Sequence, residues 1–205
     1  YLSKKARKML DDAGFTDAVI CASSDLDEYL IESLKLQGAK INTWGVGTNL
    51  ITSRDCPAFG GVYKLAAMKE GETFIPKIKI SENVIKITNP GSKELWRLFD
   101  NQTGKAIADV ITVEGEIIDD SKPYVIFNPE QTYKKKKVTD FTAKKMLVKI
   151  AENGKIVYNL PDIEGIREYT KQQLSTIWDE VKRFENPHEY YVDLSKQLWD
   201  LKQQL

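Results

Sequence analysis

The chain has 205 residues, with 30 Lys and Arg balancing 30 Asp and Glu, so it carries no net charge to favour broad binding to nucleic acid or an anionic membrane. A hydrophobic share of 41% and a charged share of 29% exclude wholesale disorder, and no apolar stretch approaches the roughly 18 residues of a membrane span. Two cysteines without CxxC spacing and one histidine are too few for a disulfide framework or a structural zinc site, so the expectation is a soluble, cytoplasmic chain.

The sequence opens at Tyr1, without methionine or secretory signal and inside a helical pattern, and reads as a piece of a longer protein. Leu2, Ala6, Met9 and Ala13 recur at helix spacing, with Gly14 as the stop. The apolar run Asp17–Ala22 then predicts a fully buried parallel strand, which places Cys21 in the core. A second helix follows Ser23-Ser24-Asp25, with Leu26, Tyr29, Leu30 and Leu34 on one face, an Asp25/Glu28 capping box and Gly38 as its end. Lys40–Trp44 is extended and runs into Gly45-Val46-Gly47-Thr48. This order of helices, strands and a glycine loop suits βα units. A complete eight-fold barrel needs about 250 residues, so residues 1–60 supply only its last units.

From Gly60 the texture is β-rich and predicted antiparallel. Strand-like runs are Val62–Ala67, Pro76–Ile80, Val84–Thr88, Leu95–Phe99, Ile107–Val113 and Tyr124–Asn128, punctuated by turns such as Asn89-Pro90-Gly91. Asn153-Gly154 between 145–150 and 155–158 is a hairpin signal. Two helices are predicted to close the chain. One carries Ile163, Ile166, Ile177, Val181 and Phe184; the other, beyond Pro187, carries Leu194, Leu198, Leu201 and Leu205. No internal repeat or low-complexity tract stands out.

Few residues carry chemistry. Glycines at Gly45-Val46-Gly47-Thr48 would let backbone N–H groups approach a phosphate, and the same residues also suit a tight turn with no ligand. Ser23-Ser24-Asp25-Leu26-Asp27 lies at a neighbouring strand end, where Ser24 and Asp25 could contact ribose hydroxyls or Mg²⁺, or simply cap a helix. His188, the sole histidine, has no nearby nucleophile and is read as a loop residue. The short basic run Lys134–Lys137 is read as a solvated loop, and Cys56 as an exposed thiol with no activating neighbour. Trp44, Trp96, Trp178 and Trp199 are assigned to packing faces.

Longer segments add a resemblance. Ser24-Asp25-Leu26-Asp27-Glu28, Trp44-Gly45-Val46-Gly47-Thr48-Asn49-Leu50 and Pro57-Ala58-Phe59-Gly60-Gly61-Val62-Tyr63-Lys64-Leu65 resemble the bacterial nicotinate phosphoribosyltransferase family. Asn89–Lys93, Gly104–Asp109, Asn186–Tyr190 and Asp193-Leu194-Ser195 resemble that family's C-terminal domain. The resemblance implies the last units of an irregular α/β barrel over residues 1–80. A β-rich α+β C-terminal domain with two terminal helices would follow over 81–205.

It further implies ATP-dependent formation of nicotinate mononucleotide from nicotinate and 5-phosphoribosyl 1-diphosphate in NAD salvage. Mg²⁺ is the implied cofactor, ATP the co-substrate and a homodimer the assembly. Gly45, Gly47 and Thr48 would hold the 5-phosphate, with Ser24 and Asp25 beside them. The family's phosphorylated histidine and its nicotinate-binding arginine match no segment of this chain, which therefore carries no catalytic residue and is expected to be inactive alone. A related phosphoribosyltransferase with another acceptor, and a non-catalytic phosphate-binding or oligomerisation module, are the competing readings.

Overall fold

The computed structural model describes residues 1–58, 60–83, 86–131 and 133–205. It divides into two compact units, Tyr1–Val62 and Tyr63–Leu205. Residues 63–80, grouped with the barrel part in the sequence reading, therefore pack with the second unit.

The first unit runs α1 (Leu2–Asp12), β1 (Cys21–Ser23), α2 (Glu28–Leu36), β2 (Thr43–Gly45) and α3 (Thr48–Ile51). Helix α1 ends at Gly14, whose φ of +85° suits a residue without Cβ. Polar contacts hold it more than burial does. Lys4 Nζ donates to the Gln37 carbonyl (2.7 Å), the Ser3 hydroxyl accepts from Lys40 N–H (3.0 Å), and Arg7 donates to the carbonyls of Phe15 and Ala18.

Strands β1 and β2 pair in parallel with α2 between them, so the βα order is as expected. The buried strand over 17–22 is not. Only Cys21–Ser23 is strand, and Cys21 is exposed, because a two-stranded sheet leaves both faces uncovered. Asp25 does not cap α2 either. Asp27 does, its Oδ1 accepting from Leu30 N–H at 2.7 Å.

The second unit begins with the hairpin β3 (Ala67–Glu70) and β4 (Thr73–Pro76), turning at Gly71. The runs 62–67 and 76–80 thus shift inward to this hairpin, and Val84 and Ile85 of the run 84–88 lie outside the described residues. The main sheet contains β5 (Lys93–Asp100), β6 (Ala106–Val113), β7 (Tyr124–Phe127), β8 (Lys135–Val138), β9 (Phe141–Lys145) and β12 (Tyr191–Leu194). Its order is β8-β7-β12-β6-β5-β9. Every pairing is antiparallel except β12 with β6, so the sheet is mixed rather than antiparallel throughout.

Alternation explains the core. Ala106, Ala108, Val110 and Thr112 on β6 are buried, as are Trp96 and Leu98 on β5. Trp96, Leu98, Ala108 and Val110 pack with Ile118, Ile126, Val138 and Phe141. Full burial of a side chain the size of Leu98 contributes about 1.5–3 kcal/mol, and Ile126 and Phe141 are of the same kind.

The basic run is strand, not loop: Lys135–Val138 forms β8 against β7, since alternate lysines can face solvent while the backbone pairs. Leu194 belongs to β12, and the helix after it is α5 (Lys196–Gln204), started by Ser195, whose Oγ accepts from Leu198 N–H (3.2 Å). Helix α4 (Ile163–Thr176) stops before Ile177 and does not extend to Phe184. The Asn153-Gly154 turn is present, both residues at positive φ, between the two-residue strands β10 (Ala151–Glu152) and β11 (Lys155–Ile156).

Candidate phosphate-binding edge

Strands β1 and β2 end level with one another, Ser23 pairing with Gly45, so the loops that follow leave from the same edge. Gly45 permits that closeness: a Cβ there would stand 3.1 Å from the Ser23 Cβ. After β1 the chain turns through Ser24 and Asp25, both at positive φ (86° and 45°), before Leu26 buries itself. After β2 it passes Val46 and Gly47 into the single turn α3.

Asn49 joins the loops. Its side-chain amide donates to the carbonyls of Asp25 (3.2 Å) and Leu26 (3.0 Å), and its Oδ1 accepts from Arg54 Nη1 (3.3 Å). The edge therefore unites Ser24, Asp25, Gly45, Gly47 and Thr48, the residues picked out from sequence. Asn49 was quoted there without a role, although a side-chain amide just inside a glycine loop is well suited to bridge carbonyls.

What the edge offers is unspent hydrogen-bonding capacity. Among the described residues, no partner is found for the backbone N–H groups of Gly47, Thr48 and Asn49. The same holds for the hydroxyls of Ser24 and Thr48 and the carboxylate of Asp25, all three residues being exposed. Among the described residues, no atom beyond Gly47 and its chain neighbours lies within 4 Å of the position a Gly47 Cβ would occupy. Packing inside the chain does not call for glycine there; access from outside would. Beside the edge, a cavity of about 500 Å³ is walled by the start of α2 and by α3, with Arg54 as its cation.

The remaining sequence candidates lie elsewhere. His188 is exposed in the second unit, where its backbone N–H donates to the Glu180 carbonyl (2.9 Å), and its ring has no hydrogen bond among the described residues. Cys56 is exposed and free. Trp96 is buried as expected, whereas Trp178 stays 39% exposed and uses its indole N–H on the Ala106 carbonyl (2.9 Å).

Sequence reading assigned no role to Arg97, Asp109 and Tyr190 of the second unit. Arg97 binds Asp109 through two parallel hydrogen bonds (2.7 and 2.9 Å), and the Tyr190 hydroxyl donates to the same carboxylate (2.8 Å). The bond to Asp109 raises the Arg97 pKa above its ordinary value despite partial burial, while burial first, then Asp109, pushes the Tyr190 hydroxyl up. Among the described residues no helix is long and apolar enough to cross a membrane, and no group of three or more His, Cys, Asp or Glu could hold a metal ion.

A glycine-flanked loop beside a second polar loop, at the ends of parallel strands, defines an α/β edge with free hydrogen-bond donors, and it is attached in sequence to a mixed-sheet domain. Residues 92–202 match the nicotinate phosphoribosyltransferase C-terminal domain. The chain is 48% identical over 204 residues to the nicotinate phosphoribosyltransferase of Bacillus subtilis, covering 100% of this chain and 42% of that protein. To the Dictyostelium discoideum nicotinate phosphoribosyltransferase it is 34% identical, covering 98% and 36%. The chain belongs to the nicotinate phosphoribosyltransferase family. Its fold also matches the crystal structure of human nicotinic acid phosphoribosyltransferase, with a TM-score of 0.66 at 21% identity, over 98% of this chain and 36% of that one. The chain thus spans well under half the length of these relatives.

Proposed function

We propose that this chain supplies the 5-phosphate-holding part of a nicotinate phosphoribosyltransferase in NAD salvage. Such an enzyme joins nicotinate to 5-phosphoribosyl 1-diphosphate, driven by ATP, giving nicotinate mononucleotide and diphosphate. The carrying observation is the β1–β2 edge, where Asn49 ties two loops together and leaves the donors of Gly47, Thr48 and Asn49 without partners.

In this reading the first unit is the end of an α/β barrel. Its loop N–H groups and the Thr48 hydroxyl bind the 5-phosphate. Fixing the sugar phosphate at one end orients the anomeric carbon for displacement, a positioning effect that removes entropy from the barrier. In the same reading the exposed Ser24 hydroxyl contacts a ribose hydroxyl. The donor chemistry at this edge fits Mg²⁺ only as a shared ligand: Asp25 offers one hard carboxylate, and Mg²⁺ ordinarily completes its shell with water and substrate phosphate. When bound, the ion would offset charge on the departing diphosphate. No residue of this chain is assigned to phosphoryl transfer from ATP or to the nicotinate carboxylate. A homodimer in the cytoplasm is part of the same reading.

Amide protection tests it. Titrating the chain with 5-phosphoribosyl 1-diphosphate or nicotinate mononucleotide should protect the amides of residues 45–49. An assembly module that binds no phosphate would show no such protection. With ATP, Mg²⁺ and both substrates, the 205-residue chain alone should show no turnover, and measurable nicotinate mononucleotide formation would contradict the assignment.

A further inference from the structure

The edge strand β8 borders a cavity of about 680 Å³ in the second unit. Val125 and Phe127 form its apolar floor, and its rim is formed by Lys135, Lys137 and Lys196. Register explains the arrangement. Lys135 pairs with Phe127 and Lys137 with Val125, so these two lysines share the face of those apolar side chains. Lys136 takes the other face, its Nζ 4.2 Å from the centroid of the Tyr191 ring. Phe127 is itself backed by Trp199, with ring centroids 5.3 Å apart.

The charges are unequal in what they have left to give. Lys196 is paired with Asp200 at 2.6 Å. The side chains of Lys135 and Lys137 are exposed and have no ion pair or hydrogen bond among the described residues, and no Asp or Glu lines the cavity. Lysines on an edge strand deter pairing with another sheet, which accounts for the run of charge. It does not account for two unpaired ammonium groups standing beside Val125 and Phe127 in a concave site.

We propose that this cavity binds an aromatic anion, a flat ring system bearing a phosphate or carboxylate. The ring lies on Phe127 and Val125, and the anion is held by Lys135 and Lys137 through charge-assisted hydrogen bonds. The site belongs to the second unit and is independent of the phosphoribosyl reading, whose loops belong to the first.

Calorimetric titration of the 205-residue chain decides it. The probes are adenosine 5′-monophosphate and 2-naphthoate, compared with adenosine as the ring alone and inorganic phosphate as the anion alone. At least one aromatic anion should bind about tenfold more tightly than either part, and which one does so identifies the preferred anion. Lys135→Glu combined with Lys137→Glu should weaken that binding by about tenfold or more, while Lys134→Glu, outside the cavity, should cost less than about threefold. Thermal melts confirm that the variants fold. Absence of binding by both aromatic anions would overturn the proposal, as would equal losses in the double and Lys134→Glu variants. So would binding lost in Thr48→Ala but kept in the double variant, because that places the anion at the first unit's loop.

Discussion

The side-chain amide of Asn49 reaches the Leu26 carbonyl at 3.0 Å, fastening the loop after β2 to the loop after β1. A single donor group also serves Asp25, so one side chain sets the spacing of the whole edge. Asn49→Ala removes both bonds. Each contributes about 0.5–1.5 kcal/mol, so in the full-length protein the apparent affinity for 5-phosphoribosyl 1-diphosphate should fall by about tenfold. Steady-state kinetics against that substrate check this, with melts to exclude unfolding. An unchanged affinity would show that the loops hold their spacing without Asn49.

Thr48→Ala and Gly47→Val probe the same edge by different means. Losing one hydroxyl donor to a charged phosphate costs about 1.5–3 kcal/mol, a tenfold to hundredfold weaker binding of the sugar phosphate. Gly47→Val should be worse, since the new side chain enters space that, among the described residues, only Gly47 and its chain neighbours approach within 4 Å and obstructs several backbone donors at once. Thermal melts of this variant separate lost binding from lost folding. Nicotinate affinity should change much less in both. If both variants keep the parental affinity for the sugar phosphate, the loop is a turn and nothing more.

Arg97 and Asp109 form the second unit's most enclosed ion pair, with side chains 17% and 11% exposed. Arg97→Ala leaves the carboxylate half-dismantled in its enclosure and should cost about 3–5 kcal/mol in a denaturant titration. Tyr190→Phe removes a single hydrogen bond to the same carboxylate and should cost about 1–3 kcal/mol. Equal costs would mean that the pair is no more than the sum of replaceable contacts.

Asp193 gives the second unit a pH dependence. The residue is buried, with no hydrogen bond to its carboxylate among the described residues. Burial raises its pKa, Lys136 opposes the rise and Glu189 adds to it. A raised carboxyl holds its proton more tightly folded than unfolded. Its stabilising effect is therefore full below the unfolded value of about 3.9 and is lost as pH climbs through the folded value. Asp193→Asn should accordingly raise the melting temperature at pH 7, and the advantage should vanish near pH 3. A lower melting temperature at pH 7 would reverse the sign assigned to this group.

The sequence announced those elements whose signals are local. Helix α1, the Asn153-Gly154 turn and the strand-to-glycine passage at Thr43–Gly47 follow from spacing and glycine placement over a few residues. Ser24 and Asp25 stand at the edge of the glycine loop because the parallel βα order puts successive loops at one edge. What was misread depends on partners distant in the chain. Lys135–Val138 looks like solvated loop until Tyr124–Phe127 lies beside it, and Tyr191–Leu194 has no strand-like neighbours in sequence to pair with. Cys21 shows the opposite error: an apolar run was given a burial that a two-stranded pair cannot supply. The Arg97–Asp109–Tyr190 cluster joins residues 81 positions apart and leaves no trace in local spacing.

The place of β12 between β6 and β7 sets the timing of assembly during synthesis. Until residues 191–194 have left the ribosome, the nascent chain can form only β9-β5-β6 on one side and β7-β8 on the other. Each partial sheet then presents an inner edge of unpaired backbone groups, the surface that recruits a neighbouring chain. The strand of this sheet that comes last in sequence is the one that joins them. A polysome stalled shortly before Tyr191 would thus display paired sticky edges on every nascent copy, and chaperone demand should peak there and fall once α5 follows.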